Sequence, residues 1–140
     1  MSKAIKMDPD SPSRDKWDSL LKTNRYWLLI KQGDSALKSG QLAQAQNHYA
    51  QAQRIDNTDS YAVLGLGDVA AARKENAAAE RYYQRALRMD RGNSLAVRGL
   101  ANLYRGESPE KASAYIASLS PGQRRSIDDI ERSLINDRLE

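Results

Sequence analysis

Apolar residues recur through most of this chain at the three- and four-residue spacing of an amphipathic helix. Between residues 40 and 56, Ala45, Tyr49, Ala52 and Ile55 follow that spacing, so they lie on one face of the predicted helix. Ala, Gln and Arg, which are frequent here, also favour helix. The pattern therefore predicts helices that each bury one stripe of side chains.

The helical pattern itself repeats with a period of 34 residues. The segment GQLAQAQNHYAQAQRID at 40–56 aligns with KENAAAERYYQRALRMD at 74–90, and SYAVLGLGDVA at 60–70 aligns with SLAVRGLANLY at 94–104. Small and aromatic residues coincide in both alignments. A unit of this length cannot bury its apolar face alone, so we expect stacked repeats that share a continuous core.

The stretch GLGDVA at 65–70 also fits the GxGxxG/A pattern of dinucleotide-binding loops. That loop requires a β-strand in front of it and a helix N-terminus behind it. Here the stretch lies inside a predicted helix, and its counterpart one period later reads GLANLY. We therefore expect Gly65 and Gly67 to serve helix packing rather than nucleotide binding.

A 34-residue period with small residues at these positions resembles the tetratricopeptide repeat, a unit of two antiparallel helices termed A and B. The resemblance implies an all-α superhelix, or α-solenoid, built of such pairs. The sequence departs from the family pattern at Gln32, where Leu is usual, and at Asn57 and Arg91, where Pro is usual. The matching residues are Leu29, Gly33, Ala36, Gly40, Ala45, Tyr49 and Ala52 in one unit, and Val63, Leu66, Gly67, Ala70, Ala79, Tyr83 and Ala86 in the next.

The repeat register predicts one α-solenoid fragment over residues 1–140. Ala112, Ile116 and Leu119 are interpreted as the second helix of a degenerate third unit. Before the first full repeat we favour one long helix over about residues 12–39, with two shorter helices as the alternative. The expected parts are the end of a preceding repeat (1–11), an inserted helical segment (12–25), full repeats (26–59 and 60–93), the degenerate repeat (94–120) and the start of a next long helix (121–140).

Serine followed by proline marks three expected helix starts, at Ser11, Ser108 and Ser120. The serine hydroxyl accepts from a free N–H of the first turn, and proline suits the first helical position because it needs no donor there. Asp59 and Asn93 are expected to cap the intervening A helices in the same way.

Composition and charge exclude several classes. The net charge of +4 comes from 22 basic and 18 acidic residues that are interspersed, so the basic stripe of a nucleic-acid-binding protein is missing and nucleic acid is not an expected partner. The absence of cysteine excludes a thiol nucleophile or a disulfide. No run approaches the roughly 18 apolar residues of a membrane span, and the first ten residues lack the apolar core of a signal peptide.

Catalytic chemistry is not expected either. His48 is the only histidine, and a metal site or a catalytic base normally needs convergent partners. Asp128, Asp129 and Glu131 are surrounded by Arg124, Arg125 and Arg132, which is typical of a solvated face of mixed charge. We therefore predict a protein that is not an enzyme and that holds no cofactor and no metal.

The resemblance to tetratricopeptide repeats implies a concave surface formed mainly by the A helices. Its aromatic and apolar end and its basic end suit an extended peptide or a partner's helix. The alternative is that Trp27 and Tyr61 only pack against neighbouring helices. The candidate groove residues are Trp27, Ile30, Asp34, Tyr61, Leu64, Asp68, Leu95, Arg98, Asn102 and Arg105.

Beyond the repeat, the stretches RYWLLIKQGDSALK, AVRGLANLYR and RRSIDDIERSL resemble the N-terminal repeat region of the periplasmic C subunits of bacterial cellulose synthases. In that family a periplasmic helical array of a Gram-negative bacterium precedes an outer-membrane β-barrel, which these 140 residues do not include. The resemblance implies a periplasmic scaffold that contacts other subunits of the synthase complex. Direct contact with the emerging β-glucan chain and a generic peptide-binding role are the alternatives.

Overall fold

The computed structural model describes residues 12–139, and this part of the chain is folded into helices joined by short turns. The all-α expectation is confirmed. The predicted end of a preceding repeat at 1–11, with its cap Ser11, lies outside the described residues. The helices are α1 (Pro12–Lys38), α2 (Leu42–Ile55), α3 (Ser60–Ala72), α4 (Asn76–Met89), α5 (Ser94–Glu107), α6 (Pro109–Ala117), α7 (Pro121–Arg125) and α8 (Asp128–Leu139).

Four helix starts carry the caps that the sequence predicts. The Asp59 carboxylate accepts from the N–H of Tyr61, and the Asn93 side chain accepts from two N–H groups of the first turn of α5. Ser108 and Ser120 each accept from an N–H three residues on, ahead of a proline. These contacts satisfy donors that the helix itself leaves free.

Helix α1 is one continuous helix of 27 residues, about 40 Å long. Its second half packs against α2 and buries Tyr26, Ile30 and Ala36. Its first half extends past α2 and is exposed from residue 14 to 25, Trp17 included. The structure therefore has the single helix rather than the two shorter ones.

Three helix pairs follow one another, α1 with α2, α3 with α4, and α5 with α6. Each pair is joined by a short turn, so its helices are antiparallel neighbours. The third pair is shortened because α6 has nine residues where α2 and α4 have 14. Ala112 and Ile116 are still buried, and Leu119 packs against the same core.

Each full repeat is held to the next by a tyrosine ring that lies between two glycines. A Cβ built at Gly33 or at Gly65 would lie 2.6 Å or 2.5 Å from Cε1 of Tyr49. The ring of Tyr83 stands in the same way between Gly67 and Gly99. Only a residue without a side chain leaves room for these rings, so the glycines of GLGDVA are packing positions, as the sequence predicts.

The closing segment differs from the single helix expected over 121–140. The chain turns at residues 126 and 127, between α7 and α8. Ser126 Oγ–H donates to the carbonyl of Gln123 at 2.6 Å, and the Ile127 N–H bonds to Arg124, three residues back, at 3.2 Å. The side-chain bond competes with the regular helix ladder, and the turn buries Ile127 completely in the core.

Two residues beyond the ends of α1 and α3 the backbone has a positive φ, of 77° at Gly40 and 63° at Lys74. The two residues are one period apart. After Lys74, the N–H of Glu75 donates to the carbonyl of Ala70 at 2.9 Å, the six-residue closure of a Schellman motif. Lys74 therefore occupies a position that favours glycine.

We expect Gly65→Ala to lower the free energy of unfolding by about 1–3 kcal/mol, because the new methyl group overlaps the Tyr49 ring in a packed core. Gly106→Ala is the matched control, since a Cβ there meets no atom within 4 Å, and it should be neutral or stabilising by up to about 1 kcal/mol. Urea unfolding followed by circular dichroism measures both. Equal effects of the two variants would contradict the packing role.

We expect Lys74→Gly to raise the free energy of unfolding by up to about 1 kcal/mol, because glycine adopts positive φ without a Cβ clash. The converse change Gly40→Ala should lower it by about 1 kcal/mol, with no steric contribution because a Cβ at Gly40 meets open space. Thermal and urea unfolding test the pair. Shifts in the same direction would show that backbone strain is not the cause.

Candidate partner-binding groove

The outermost row of the predicted groove consists of exposed side chains at the second position of each repeat. Trp27, Tyr61 and Leu95 are 39%, 45% and 49% exposed. The rings of Trp27 and Tyr61 meet edge to face, with centroids 5.3 Å apart and planes at 69°. The row is therefore continuous from α1 to α3, and it stays accessible even though its two aromatic members pack on each other.

Two of the candidate groove residues lie in the core. Ile30 and Leu64 are each 5% exposed, and Ile30 packs in a cluster with Tyr26. Their positions face the seam between neighbouring helices rather than the open surface. Ile30 is therefore a core residue, whereas Leu64 still forms part of the floor of a depression.

A polar row lies two turns further along the A helices. Tyr49 Oη–H donates to Asp34 Oδ1 at 2.5 Å, and Tyr83 Oη–H donates to Asp68 Oδ1 at the same distance. The tyrosines whose rings lie between the glycines therefore also hold these two carboxylates in position at the groove. In the third repeat, Asn102 takes the equivalent position and is exposed.

Asp68 is the more enclosed of the two carboxylates. Burial raises the pKa of Asp68, with a smaller upward effect from Asp34, and the hydrogen bond from Tyr83 opposes the rise. Burial and the neighbouring carboxylate also raise the pKa of Tyr83. The bond from Tyr83 therefore stabilises a carboxylate that burial makes costly to ionise.

The basic end of the groove is already occupied by α8. Arg98 donates from Nη1 and Nη2 to the two oxygens of Asp129 at 3.0 Å and 2.5 Å, and Arg105 Nη2 donates to Ser133 Oγ at 2.5 Å. The ion pair lowers the pKa of Asp129 and raises that of Arg98. The charge of Arg98 is thus paired with a carboxylate of the next helix, and Arg105 is hydrogen-bonded to the same helix, which the repeat register does not reveal.

Between α3 and α5 lies a depression of about 620 Å³. Asp68 and Tyr83 form one wall, and Gly99, which packs against the Tyr83 ring, is part of the lining. The sequence prediction missed Lys74 and Leu103, which also line it. Leu103 follows Gly99 by one helical turn, and that spacing is the signal that could have found it. The predicted residues that meet here are Leu64, Asp68, Leu95, Arg98 and Asn102.

The remaining candidate chemistry is sparse in the described part of the chain. His48 is half-buried, and its Nδ1 has no hydrogen-bond partner among residues 12–139. Glu131 pairs with Arg124 at 2.7 Å, and Asp129 with Arg98, so these carboxylates form a mixed-charge face. No three metal-ligating side chains come together among the described residues. None of the described helices has both the length and the apolar content to cross a membrane.

Comparison with known proteins defines the class. Residues 30–94 match the tetratricopeptide repeat family. The TPR domain of Arabidopsis OM64 superposes with a TM-score of 0.67 at 17% identity, which covers 83% of this chain and 98% of that domain. With the helix pairs and the 34-residue period, these matches show an α-solenoid of the tetratricopeptide-repeat type.

Within that class the chain is similar to one particular protein. It is 79% identical over 137 residues to cellulose synthase operon protein C of Salmonella typhimurium, which covers 98% of this chain and 12% of that protein. It is 73% identical over 139 residues to cellulose synthase operon protein C of Escherichia coli K12, again over 12% of the relative. The chain thus spans about an eighth of the length of these curated relatives.

The raised pKa of Asp68 gives a pH-dependent prediction for Asp68→Asn. A carboxyl group with a raised folded-state pKa stabilises the fold when protonated, and that stability is lost as the pH rises through the folded pKa. The asparagine side chain introduced by this substitution can still accept the hydrogen bond from Tyr83, and it carries no charge. We therefore expect the variant to be more stable than the parent at pH 7, and the difference to shrink as the pH falls and to be gone below about 4.

Asp129→Asn provides a control of opposite sign, because Arg98 lowers the pKa of that carboxyl. It should slightly destabilise the protein at pH 7, and the effect should be small because Asp129 is exposed. Urea unfolding at pH 7 and at pH 3.5 measures both variants. A loss of stability at pH 7 in Asp68→Asn would rule out a desolvated carboxylate at that position.

Proposed function

We propose that this chain is a non-catalytic scaffold of bacterial cellulose synthesis and export, and that it holds a segment of another subunit of the synthase complex in its concave groove. The observation that carries the proposal is the accessible apolar row of Trp27, Tyr61 and Leu95 beside the depression between α3 and α5. Large apolar side chains around a concave surface favour protein contacts. The relatives' names supply the cellulose context, and the periplasm is the compartment we propose with it.

The shape of the groove suits an extended segment. Equivalent positions on successive A helices line one continuous surface, so a peptide can contact several repeats at once. Apolar side chains would contact the outer row, and backbone N–H groups of the peptide would donate to Asp68 and Asn102 at the depression. The groove therefore offers a protein partner both apolar surface area and hydrogen-bond acceptors.

Direct contact with the β-glucan chain is the second candidate. Exposed aromatic rings stack on sugar rings, and Trp27 lies two helical turns before Asp34, whose carboxylate could accept from sugar hydroxyls. The mutual geometry of Trp27 and Tyr61 favours the protein partner, since rings at 69° to each other do not form a flat platform. One ring face is covered by the edge of its neighbour and is lost for stacking on a sugar.

The two tryptophans of the chain separate these candidates. Trp17→Phe leaves Trp27 as the only tryptophan, so the fluorescence of that variant reports on the groove. Trp27→Phe leaves Trp17 as the only tryptophan, and that residue lies outside the groove. We expect titration with the purified periplasmic portions of the synthase subunits to change the emission of Trp17→Phe and to leave that of Trp27→Phe unchanged. The same titration with cellohexaose should change neither.

Trp27→Ala should weaken the binding of that subunit by about 2 kcal/mol, or about 30-fold, as expected for an aromatic anchor. Trp17→Ala removes an exposed ring from the first half of α1, outside the groove, and should leave the affinity unchanged. Isothermal calorimetry measures both. Saturable binding of cellohexaose with loss of affinity in Trp27→Ala would favour the glucan, and equal effects of the two variants would exclude the groove.

A further inference from the structure

Three arginines follow one face of α4 on the side away from the core. Arg81, Arg85 and Arg88 are spaced by four and three residues, so they form a stripe about 10 Å long. All three are exposed. A depression of about 380 Å³ lies among them, with Ala78 and the half-buried Tyr82 in its lining. The stripe is therefore a charged rim around a small apolar floor.

No carboxylate in the described part of the chain pairs with these arginines. Glu80 is the only acidic residue of α4. Its carboxylate accepts from Tyr104 Oη–H at 2.9 Å and from Gln84 Nε2 at 3.2 Å, so Glu80 is engaged with neutral groups. Like charges one helical turn apart repel and slightly destabilise the helix. The stripe thus lacks an internal counter-charge and carries a small cost in stability.

The stripe is specific to this repeat. One period earlier, α2 has Asn47 and Gln51 at the positions of Arg81 and Arg85. Only Arg54 among the three equivalents is basic, and α2 contains no carboxylate. The run of three arginines is therefore confined to α4, and α2 carries a single arginine at the equivalent positions. An anionic membrane binds best to a broad basic face, whereas a narrow stripe matches one acidic helix laid alongside it.

We propose that the outer face of α4, with Arg81, Arg85 and Arg88 around Tyr82, is a docking site for an acidic helical segment of a partner protein. Glutamates spaced by four and three residues on that segment would accept bidentate hydrogen bonds from the guanidinium groups. The apolar stems of the acidic side chains would contact Ala78 and Tyr82. This site is separate from the concave groove and needs no contact with it.

The test uses a fluorescein-labelled helical peptide with glutamates at that spacing, and a control peptide of the same composition in scrambled order. We expect saturable binding of the first peptide, at least about tenfold tighter than the scrambled one, and weaker as salt is added. Replacing all three arginines by glutamine, a neutral side chain that also favours helix, should reduce the affinity about tenfold or more.

The control variant Arg25→Gln, Arg125→Gln, Arg132→Gln removes the same charge elsewhere, since all three positions are exposed, and should keep the affinity within about twofold. Circular dichroism melting should show that the stripe variant is folded, with a melting temperature no lower than the parent's because repulsion is relieved.

Four outcomes would overturn the proposal. The first is no saturable binding at about 1 mM peptide, and the second is equal weakening in the stripe and control variants. The third is binding of phosphatidylglycerol vesicles that is lost in the stripe variant while the peptide does not bind. The fourth is arginine-dependent self-association in sedimentation velocity, which would make a second copy of the chain the occupant.

Discussion

The structure depends on the insertion of a tyrosine ring between two glycines of successive A helices. The ring of Tyr49 contacts both α1 and α3, and that of Tyr83 contacts both α3 and α5. A repeat buries its apolar face only against its neighbour. The tyrosine ring therefore fills the space between the two helices of its own pair and also packs that pair against the next one. Its hydroxyl group then reaches a carboxylate on the groove side. Core packing and groove chemistry are therefore coupled through one residue type.

That coupling determines which polar groups the groove presents. Asp34 and Asp68 are held by the tyrosines, whereas Arg98 and Arg105 are held by α8. The carboxylates of Asp34 and Asp68 line the groove, whereas Arg98 forms an ion pair with α8 and Arg105 donates to a serine of α8. The surface that the groove presents to a ligand therefore consists of hydrogen-bond acceptors and apolar area more than of unpaired positive charge.

Much of the fold follows from sequence spacing, because the features involved are local or periodic. The period of 34 aligns Gly33 with Gly67 and Tyr49 with Tyr83, and short-range rules identify caps such as Asp59. These residues act within one turn or one repeat, where helix geometry determines which side chains are neighbours. The helix pairs and the glycine seam were therefore predictable.

The remaining features depend on packing at longer range. The turn at Ser126 places Ile127 in the core, and the pairing of Arg98 with Asp129 spans 31 residues across a shortened third unit. The burial of Ile30 depends on how closely α1 lies to its neighbours. Period and propensity contain no information on these distances. The roles of the groove residues as binding residues stay a prediction.

The shared tyrosine ring has a consequence for how the array comes apart. Tyr49 lies on α2 and packs against both α1 and α3, so separating the first repeat from the second exposes its ring together with the surface of α3 that it covers. In a repeat protein the balance between the intrinsic stability of a unit and its interface with the next decides cooperativity. A ring that belongs to both units shifts that balance toward the interface, and neighbouring repeats should melt as one cooperative block rather than fray unit by unit.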